Sequence, residues 1–238
     1  MIAIKINKIT KFYSSKNQLG AKEMFLKNGV FSKKKSSTYA IKNLSFTIKY
    51  GESVAILGHN GSGKSTTLSL ISGVSSPSSG EVILNSPVSS MLELTSGINT
   101  ELSGLQNIFL YSSLLGTPLN VIKKNLPNII DFSELNDVIN NQVRTYSSGM
   151  IARLAFSIIT ANVNDILVID EVFAVGDYKF KRKCFDFLRK FKKNGGTLLM
   201  VTHDAETAKI FCERGIVLSK GKKIYDGDLK NAYTFYLN

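Results

Sequence analysis

The chain has 238 residues, enough for one well-packed α/β domain, and its 43% apolar content excludes a largely disordered protein. Its apolar runs are far shorter than the roughly 18 residues that a spanning helix requires, and no secretory leader pattern is visible, so we expect a cytoplasmic protein. The net charge of +12 comes from residues 1–50 and 179–238, whereas residues 51–178 are net acidic. Because the basic excess avoids the central segment, we expect no specific nucleic-acid binding. Two cysteines in apolar patterns, Cys184 and Cys212, are predicted to be buried free thiols.

The first part of the chain alternates apolar and polar residues at Ile2–Ile9 and Leu44–Ile48, and this period predicts strands. The residues between them, at about 14–38, are predicted to be a basic insertion that contains six lysines and a small apolar cluster. Two interpretations of the insertion stay open. It is either a solvated surface loop or an interfacial helix near anionic lipid head groups.

The middle of the chain is predicted to be helical. Residues 104–140 have mostly helical spacing, and we expect Pro118 and Pro127 to break them into short pieces. A longer helix is predicted over Ser147–Ile159, after a serine-rich cap. We therefore predict a helical subdomain at about 100–160.

Strands and helices alternate along the rest of the chain, which implies a largely parallel sheet with its active residues at the carboxyl ends of the strands. The predicted fold class is therefore α/β, with a mainly parallel sheet, an antiparallel β part and the helical subdomain, in a single domain over 1–238. The further predicted elements are, in chain order, strand Val54–Leu57, helix Lys64–Ile71, strands Glu81–Leu84, Ser90–Leu94 and Ile166–Ile169, helix Lys179–Lys193, strand Thr197–Val201, helix Asp204–Cys212, and a hairpin of Gly215–Leu218 with Lys223–Tyr225.

The segment from Gly58 to Ser65 matches the phosphate-binding pattern G-x-x-x-x-G-K-[ST] between a strand and a helix. Its glycines let successive backbone N–H groups face one anion, and the helix N-terminus adds the positive end of its dipole. Lys64 supplies a charge for the β- and γ-phosphates, Ser65 offers a hydroxyl to Mg²⁺, and Thr66 can reach another phosphate oxygen. The pattern predicts a P-loop NTPase core, and only the backbone of His59 need matter there. The predicted nucleotide contacts are Gly58, His59, Asn60, Gly61, Ser62, Gly63, Lys64, Ser65 and Thr66.

A buried apolar strand, Ile166–Ile169, leads into two carboxylates, Asp170 and Glu171. In P-loop enzymes an acid at this strand end holds Mg²⁺, while a second acid orients or deprotonates the attacking water. We assign Asp170 to the metal and Glu171 to the water. His203 ends another strand, where a neutral imidazole could hydrogen-bond the γ-phosphate or the water, with a structural hydrogen bond as the alternative.

The segment before the long helix, Thr145–Met150, resembles the signature of the ATP-binding-cassette (ABC) family. Ser147 and Gly149 match the serine and the second glycine that, in this family, touch the γ-phosphate of the partner subunit's ATP. Ser148 lies between them and differs from the residue that is usual in the family signature, and we include it in the predicted contact with ATP. The resemblance therefore implies ATP and Mg²⁺ as the cofactors and ATP hydrolysis as the activity.

The resemblance extends over nearly the whole chain. Ala174–Asp177 is similar to the family's D-loop, and His203 to its switch histidine. Tyr13 resembles the aromatic residue that stacks on adenine, Tyr39 is the alternative, and the sequence does not decide between them. The family's Mg²⁺-contacting glutamine is replaced here, and we place its role on Glu93.

The resemblance also implies how the site works. Glu171 would be catalytic, Lys64 and His203 would stabilise the developing charge on the γ-phosphate, and Ser65 with Asp170 would hold Mg²⁺. The family's site joins the phosphate loop of one subunit to the signature of another. A homodimer is therefore implied, bound to two copies of an integral-membrane permease.

Several segments that differ from the common family pattern resemble the corresponding segments of one subfamily, the ATPases that export O-antigen, capsule and teichoic acid. They imply export of a lipid-linked polysaccharide that is contacted mainly by the permease, with the ATPase held at the cytoplasmic face of the membrane. The segments that carry this resemblance are Tyr146–Met150, Leu92–Ile98, Leu102–Asn107, Asp170–Asp177 and the basic insertion.

Other functions stay open at this point. The ATPase of an ABC importer or of a small-molecule exporter would have the same site, because the permease handles most of the cargo. A non-transport ABC ATPase that acts on nucleic acid or ribosomes usually has long coiled coils or two cassettes, and neither is present here. A P-loop GTPase or kinase would leave the segment at Ser147 unexplained.

Overall fold

A computed structural model describes residues 1–14, 37–92, 94–170, 177–202 and 205–237. Nearly all of the predicted insertion lies outside these residues, and so does most of the segment resembling the D-loop. Three predicted site residues, Glu93, Glu171 and His203, also lie outside them.

The described elements confirm the predicted α/β alternation. Two short 3-10 turns, Asn136–Val138 and Val143–Thr145, join the second half of the helical part to the signature segment. The strands and helices are, in chain order, β1 (Ile2–Ser14), β2 (Ser37–Lys49), β3 (Ser53–Leu57), α1 (Lys64–Ile71), β4 (Ser79–Leu84), β5 (Val88–Ser90), α2 (Gly104–Leu114), α3 (Leu119–Ser133), α4 (Ser148–Ala161), β6 (Ile166–Asp170), α5 (Tyr178–Lys193), β7 (Thr197–Val201), α6 (Ala205–Phe211), β8 (Arg214–Ser219), β9 (Lys222–Asp228) and α7 (Leu229–Leu237).

The described strands form two sheets. One has the order β5-β6-β7-β3-β8-β9, with parallel neighbours from β5 to β8 and an antiparallel β9 at its edge. The other is antiparallel, in the order β2-β1-β4. The carboxyl ends of β3, β6 and β7 therefore lie at one edge of the main sheet, which is where ligands bind in α/β folds.

The side chains of β3 show how the main sheet divides the interior. All five of its residues are buried. Ala55 and Leu57 pack into a core with the helices, whereas Val54 and Ile56 pack into a second core with the antiparallel sheet and α1. Because alternate residues of a strand point to opposite faces, one buried strand supplies both cores. The apolar sequence before the phosphate loop thus anchors the loop at the centre of the molecule.

The structure corrects two sequence predictions and adds one element. Pro127 lies inside α3 and does not break it. The missing N–H costs one intrahelical hydrogen bond, but Pro127 and Lys123, four residues earlier, are both exposed, so water can satisfy the freed carbonyl. The strand predicted at Ser90–Leu94 is β5, which ends at Ser90. The terminal helix α7 was not predicted.

Two further sequence predictions concern helices and thiols. Among the described residues, no helix combines the length and the apolar character needed to cross a membrane. Cys184 and Cys212 are buried free thiols, as predicted. Burial raises the pKa of each to about 12, so neither is a reactive thiolate at neutral pH.

Candidate active site

The predicted phosphate loop, residues 58–63, connects the buried end of β3 to the first residue of α1. Two close backbone approaches fix its path. A Cβ on Gly63 would lie 2.7 Å from the carbonyl oxygen of Ala40, and the φ of 106° at Gly63 also favours glycine. A Cβ on Gly58 would lie 2.5 Å from the carbonyl oxygen of Leu218. The loop is therefore wedged between β2 and the β8–β9 hairpin.

The mouth of the loop combines a lysine with an open helix N-terminus. The Lys64 Nζ donates to the carbonyl oxygens of Gly58, at 2.6 Å, and of His59, at 3.2 Å. The N-cap residue of α1 is Gly63, which has no side chain to accept the N–H groups of the first turn. The buried Ser62 Oγ has no hydrogen-bond partner among the described residues. An anion such as phosphate could accept from the helix N-terminus and from the lysine, so the loop fits the predicted ligand.

Asp170 lies at the same edge of the sheet as the phosphate loop. It pairs in register with Val201, which pairs with Ile56 two residues before the loop. Two strand spacings, about 10 Å, therefore separate the backbones of β6 and β3 at this level. Asp170 is half-buried, and Ser65 in the first turn of α1 is exposed. Of the other eight predicted loop contacts, three are exposed, three are half-buried and two are buried: His59, Asn60 and Gly61, then Gly63, Lys64 and Thr66, then Gly58 and Ser62.

The oxygen atoms at this edge match the chemistry of Mg²⁺, which prefers hydroxyl and carboxylate ligands. Ser65 and Asp170 offer one of each. Within the described ranges, no three His, Cys, Asp or Glu side chains form a group that could hold a metal by themselves. A Mg²⁺ ion at this edge would complete its coordination with nucleotide phosphates and water, as this ion usually does. The residues present therefore fit the predicted ion.

The predicted signature residues form the N-terminus of α4. Ser147 is the N-cap, and its Oγ accepts a hydrogen bond from the backbone N–H of Met150 at 3.3 Å. Ser147 and Ser148 are exposed, and Gly149 is half-buried. They adjoin a cavity of about 530 Å³ whose lining includes Ser147 and Gly149 and no residue of the phosphate loop. Within one chain the loop and the signature therefore belong to separate sites.

Comparison with known proteins names the family. A sequence profile of the ABC transporter family matches residues 41–174, which is more than half of the chain. The chain belongs to the ABC transporter family. It is therefore an ATP-binding, ATP-hydrolysing ABC subunit, as the resemblance of its motifs implied.

Two curated relatives show where within this ABC family the chain lies. The O-antigen export system ATP-binding protein RfbB of Klebsiella pneumoniae is 43% identical over 215 residues, which cover 89% of this chain and 87% of that protein. The teichoic acids export ATP-binding protein TagH of Bacillus cereus is 38% identical over 238 residues, which cover 98% of this chain and 42% of that protein. The chain thus spans most of the first relative and less than half of the second.

The solved structures agree with the ABC assignment. The chain is similar to a dimeric ATP-binding cassette, MJ0796, in a post-hydrolysis state bound to ADP and Pi. The TM-score is 0.74 at 25% identity, and the match covers 95% of this chain and 98% of that one. The predicted ABC nucleotide-binding fold is therefore confirmed.

The individual roles within the ABC site stay predictions. The structure brings Lys64, Ser65 and Asp170 to one edge of the sheet and places the signature at the N-terminus of α4. Glu171, His203 and Glu93 lie outside the described residues, so the predicted base, switch histidine and Q-loop residue have no geometry to report.

Both candidates for the ABC adenine-stacking residue lie on the antiparallel sheet. Tyr13 is on β1 and Tyr39 on β2, and each residue is 53% exposed, so both are accessible to a ligand. The Tyr39 ring meets Phe12 edge to face, with centroids 6.0 Å apart. The residue after Tyr39 is Ala40, whose carbonyl approaches the phosphate loop. The choice between Tyr13 and Tyr39 therefore stays open.

Two contacts that hold the ABC phosphate loop were not predicted from the sequence. The Gly221 N–H, in the β8–β9 turn, donates to the carbonyl oxygen of Ser62 at 3.0 Å. The His59 ring stacks on Tyr236 of α7, with centroids 5.0 Å apart and planes 28° from parallel. His59 was expected to matter through its backbone alone, so the ring contact is an additional finding. No local pattern could have predicted either contact, because both partners lie far along the chain.

Proposed function

We propose that this ABC ATPase drives the export of a lipid-linked polysaccharide of the O-antigen, capsule or teichoic acid type. The observation that carries the proposal is the 43% identity to an O-antigen export ATP-binding protein over 89% of the chain. The similarity to a teichoic acids export protein points the same way. Export of a polymer made inside the cell would place the ATPase at the cytoplasmic face of the membrane, held there by its permease.

The arrangement of the site supports a working unit of two chains. Each chain has one phosphate loop and one signature, and the cavity beside the signature includes no phosphate-loop residue. The similar cassette MJ0796 is dimeric. We therefore propose a homodimer in which the loop of one chain and the signature of the other enclose each ATP, with two permease copies bound to the pair.

The proposed mechanism divides the work among residues of both chains. Lys64 and the first N–H groups of α1 would hold the β- and γ-phosphates, and the partner's signature would meet the γ-phosphate from the other side. Glu171 would accept a proton from the attacking water, and His203 would hydrogen-bond the γ-phosphate. A bound Mg²⁺ ion would neutralise charge on the phosphate oxygens. Ser65 and Asp170 would hold that ion, with Glu93 near it.

Depletion of the chain in its own cells tests the proposal. Surface polymer should fall while lipid-linked polymer accumulates on the cytoplasmic side of the membrane, and a plasmid-borne copy should restore export. A copy carrying Lys64→Ala should restore it poorly, because ATP binding is weakened. Normal polymer export in depleted cells, with failed uptake or efflux of a small molecule, would support the importer or small-molecule alternative. Identification of the permease that co-purifies with the chain would give the same answer independently.

The basic insertion offers a second test of the exporter assignment. Its six lysines and apolar cluster suit an interfacial position, with each lysine worth roughly 1 kcal/mol at an anionic surface. Replacement of Lys33, Lys34 and Lys35 by Ser should reduce polymer export and leave basal ATP hydrolysis by the isolated subunit nearly unchanged. Unchanged export would return the insertion to the interpretation of a solvated loop, and an equal fall in both activities would indicate misfolding.

A further inference from the structure

Charged side chains from three helical elements meet beside the signature. Glu134 closes the C-terminus of α3 in a left-handed conformation, with a φ of 57°. Its Oε2 accepts from Arg153 Nη1 at 3.2 Å, and its Oε1 accepts from Lys183 Nζ at 2.7 Å and from Lys179 Nζ at 3.2 Å. Arg153 belongs to α4, whereas Lys179 and Lys183 belong to α5. One carboxylate thus ties the end of α3 to both of the other helices.

Arg153 makes a second connection to α5. Its Nη2 pairs with the carboxylate of Asp177, and the Asp177 Oδ1 accepts from the backbone N–H of Phe180 at 2.9 Å, which caps α5. The Arg153 Cζ lies 5.4 Å from the centroid of the Phe180 ring. The Arg153 side chain is only 18% exposed and that of Glu134 only 24%, so this pair is less screened than an ordinary surface ion pair.

Both carboxylates are charged at neutral pH. The hydrogen bond from Lys183 is the main cause that lowers the pKa of Glu134, and Lys179 lowers it further. The N–H of Phe180 is the main cause that lowers the pKa of Asp177, with Arg153 adding to it. The cluster is therefore an ionic network under the conditions in which the protein works.

The network adjoins the signature directly. Glu134, Arg153 and Asp177 line the same cavity of about 530 Å³ as the signature residues Ser147 and Gly149. Arg153 is less than two helical turns after Ser147 on α4. Because a helix is stiff over this length, whatever fixes Arg153 also fixes the direction in which the N-terminus of α4 points.

We propose that Glu134 is a positioning residue for the signature. By holding Arg153 against α5, it fixes the angle at which Ser147 and Gly149 meet the ATP bound by a second chain. In this role Glu134 acts on the signature through its ion pair with Arg153. The inference rests on the proposed two-chain site, because the described lining of the cavity beside the signature includes no phosphate-loop residue of the same chain.

The test compares nucleotide binding by one chain with ATP-driven pairing of two chains. Glu134→Gln, which keeps the size of the side chain and removes its charge, should leave the affinity of the monomer for ADP within about twofold of the parent. Measured in the full chain carrying Glu171→Gln to prevent turnover, it should weaken ATP-driven dimerisation by about tenfold, which corresponds to about 1.4 kcal/mol. Glu134→Asp, which keeps the charge, should restore part of the loss. Dimerisation would be followed by light scattering and ADP binding by calorimetry.

Glu52→Gln is the matched control. Glu52 pairs with Arg214 at 3.0 Å, with side-chain exposures of 31% and 25%, close to those of Glu134 and Arg153. It directly precedes β3 and so lies at the end of that strand opposite the phosphate loop. Its loss should lower the melting temperature without changing dimerisation. Lys183→Gln removes one contact of Glu134 from the other side and should weaken dimerisation by a smaller factor, which keeps the idea testable if Glu134→Gln does not fold.

The outcomes separate this inference from the proposed function. If the chain that carries only Glu171→Gln does not dimerise when ATP is added, the proposed two-chain site itself is wrong. If that chain pairs and Glu134→Gln pairs equally well, Glu134 is no positioning residue. If Glu134→Gln lost ADP affinity and dimerisation equally, the inference would also be overturned. The same holds if Glu52→Gln weakened dimerisation as much as Glu134→Gln for the same fall in melting temperature. Either result would indicate general destabilisation.

Discussion

The phosphate loop and the signature are held by different forces. The loop is fixed by backbone groups, since the Gly221 N–H donates to the carbonyl oxygen of Ser62 at 3.0 Å and the carbonyl oxygen of Gly221 accepts from the Lys42 N–H at 2.8 Å. The signature begins α4, whose apolar face packs in the core, and Arg153 of this helix adds partly exposed ion pairs with Glu134 and Asp177. Backbone contacts of this kind are short-ranged and barely screened, whereas partly exposed ion pairs depend on pH and salt.

This difference corresponds to what each region does. In the proposed site the loop binds nucleotide in a single chain, so it gains from being preformed. In the same proposed site the signature acts only when a second chain arrives, and the charged network adds an ionic contribution to the core packing that holds α4. The comparison therefore predicts that damage to the loop affects binding by one chain, whereas damage around the signature affects the pairing of two chains.

The largest expected effect comes from stopping hydrolysis while both regions stay intact. Glu171→Gln should reduce turnover by about 10²–10⁴-fold, because it removes the proton acceptor for water. ATP affinity should be retained. An ATP-bound dimer, in which the loop and the signature act on the same nucleotide, should accumulate and be detected by size-exclusion chromatography. Turnover near the parental rate would show that another group is the base.

The next effect in size separates the loop from the signature. Lys64→Ala should weaken ATP binding by about 10–100-fold, the range expected for losing charge-assisted hydrogen bonds to phosphate. The monomer alone should show the loss by calorimetry, with an unchanged circular-dichroism spectrum. Lys209→Ala removes a lysine from an exposed pair with Glu206 and serves as the control, with no expected change in affinity. Equal affinities in the two variants would contradict the predicted role of Lys64.

A smaller effect tests whether the loop is held by its backbone. Gly63→Ala would place a Cβ 2.7 Å from the Ala40 carbonyl oxygen in a conformation that disfavours alanine, at a cost of about 1–3 kcal/mol. Melting temperature and ATP affinity should fall together. Gly73 has a φ of 72° but meets no atom within 4 Å, so Gly73→Ala isolates the conformational strain and should cost less. If both variants melt alike, the close approach to Ala40 contributes nothing.

The smallest effect tests the ionic character of the signature side. The pKa of Glu134 is lowered in the folded protein by Lys183 and Lys179, so its contribution to stability is fully present above the usual value of 4.5. It is lost as the pH falls through the lower folded pKa. Thermal unfolding should therefore show a steeper loss of stability below about pH 4.5 in the parent than in Glu134→Gln, whose side chain does not titrate. Identical pH profiles would show that the network adds no stability.

Most of the fold was predictable from the sequence because its signals are local. The apolar run of β3, the glycines after it and the helical start at Lys64 lie within a few residues of each other and specify a phosphate loop. Asp170 could be placed at the same edge because parallel strands share their carboxyl ends. Pro127 was misread, since its effect depends on whether the freed carbonyl reaches water, which is a property of the folded surface.

The sequence by itself determined the family and the nucleotide chemistry, and its similarity to export ATPases is the basis of the proposed cargo. Only the tertiary structure decided how the two halves of the site are supported. The stacking of His59 on Tyr236 and the convergence of Arg153 and Lys183 on Glu134 join residues from separate elements. A lysine or glutamate on a helix can pair with any opposite charge that packing brings near it, so its partner has no sequence period or spacing to reveal it.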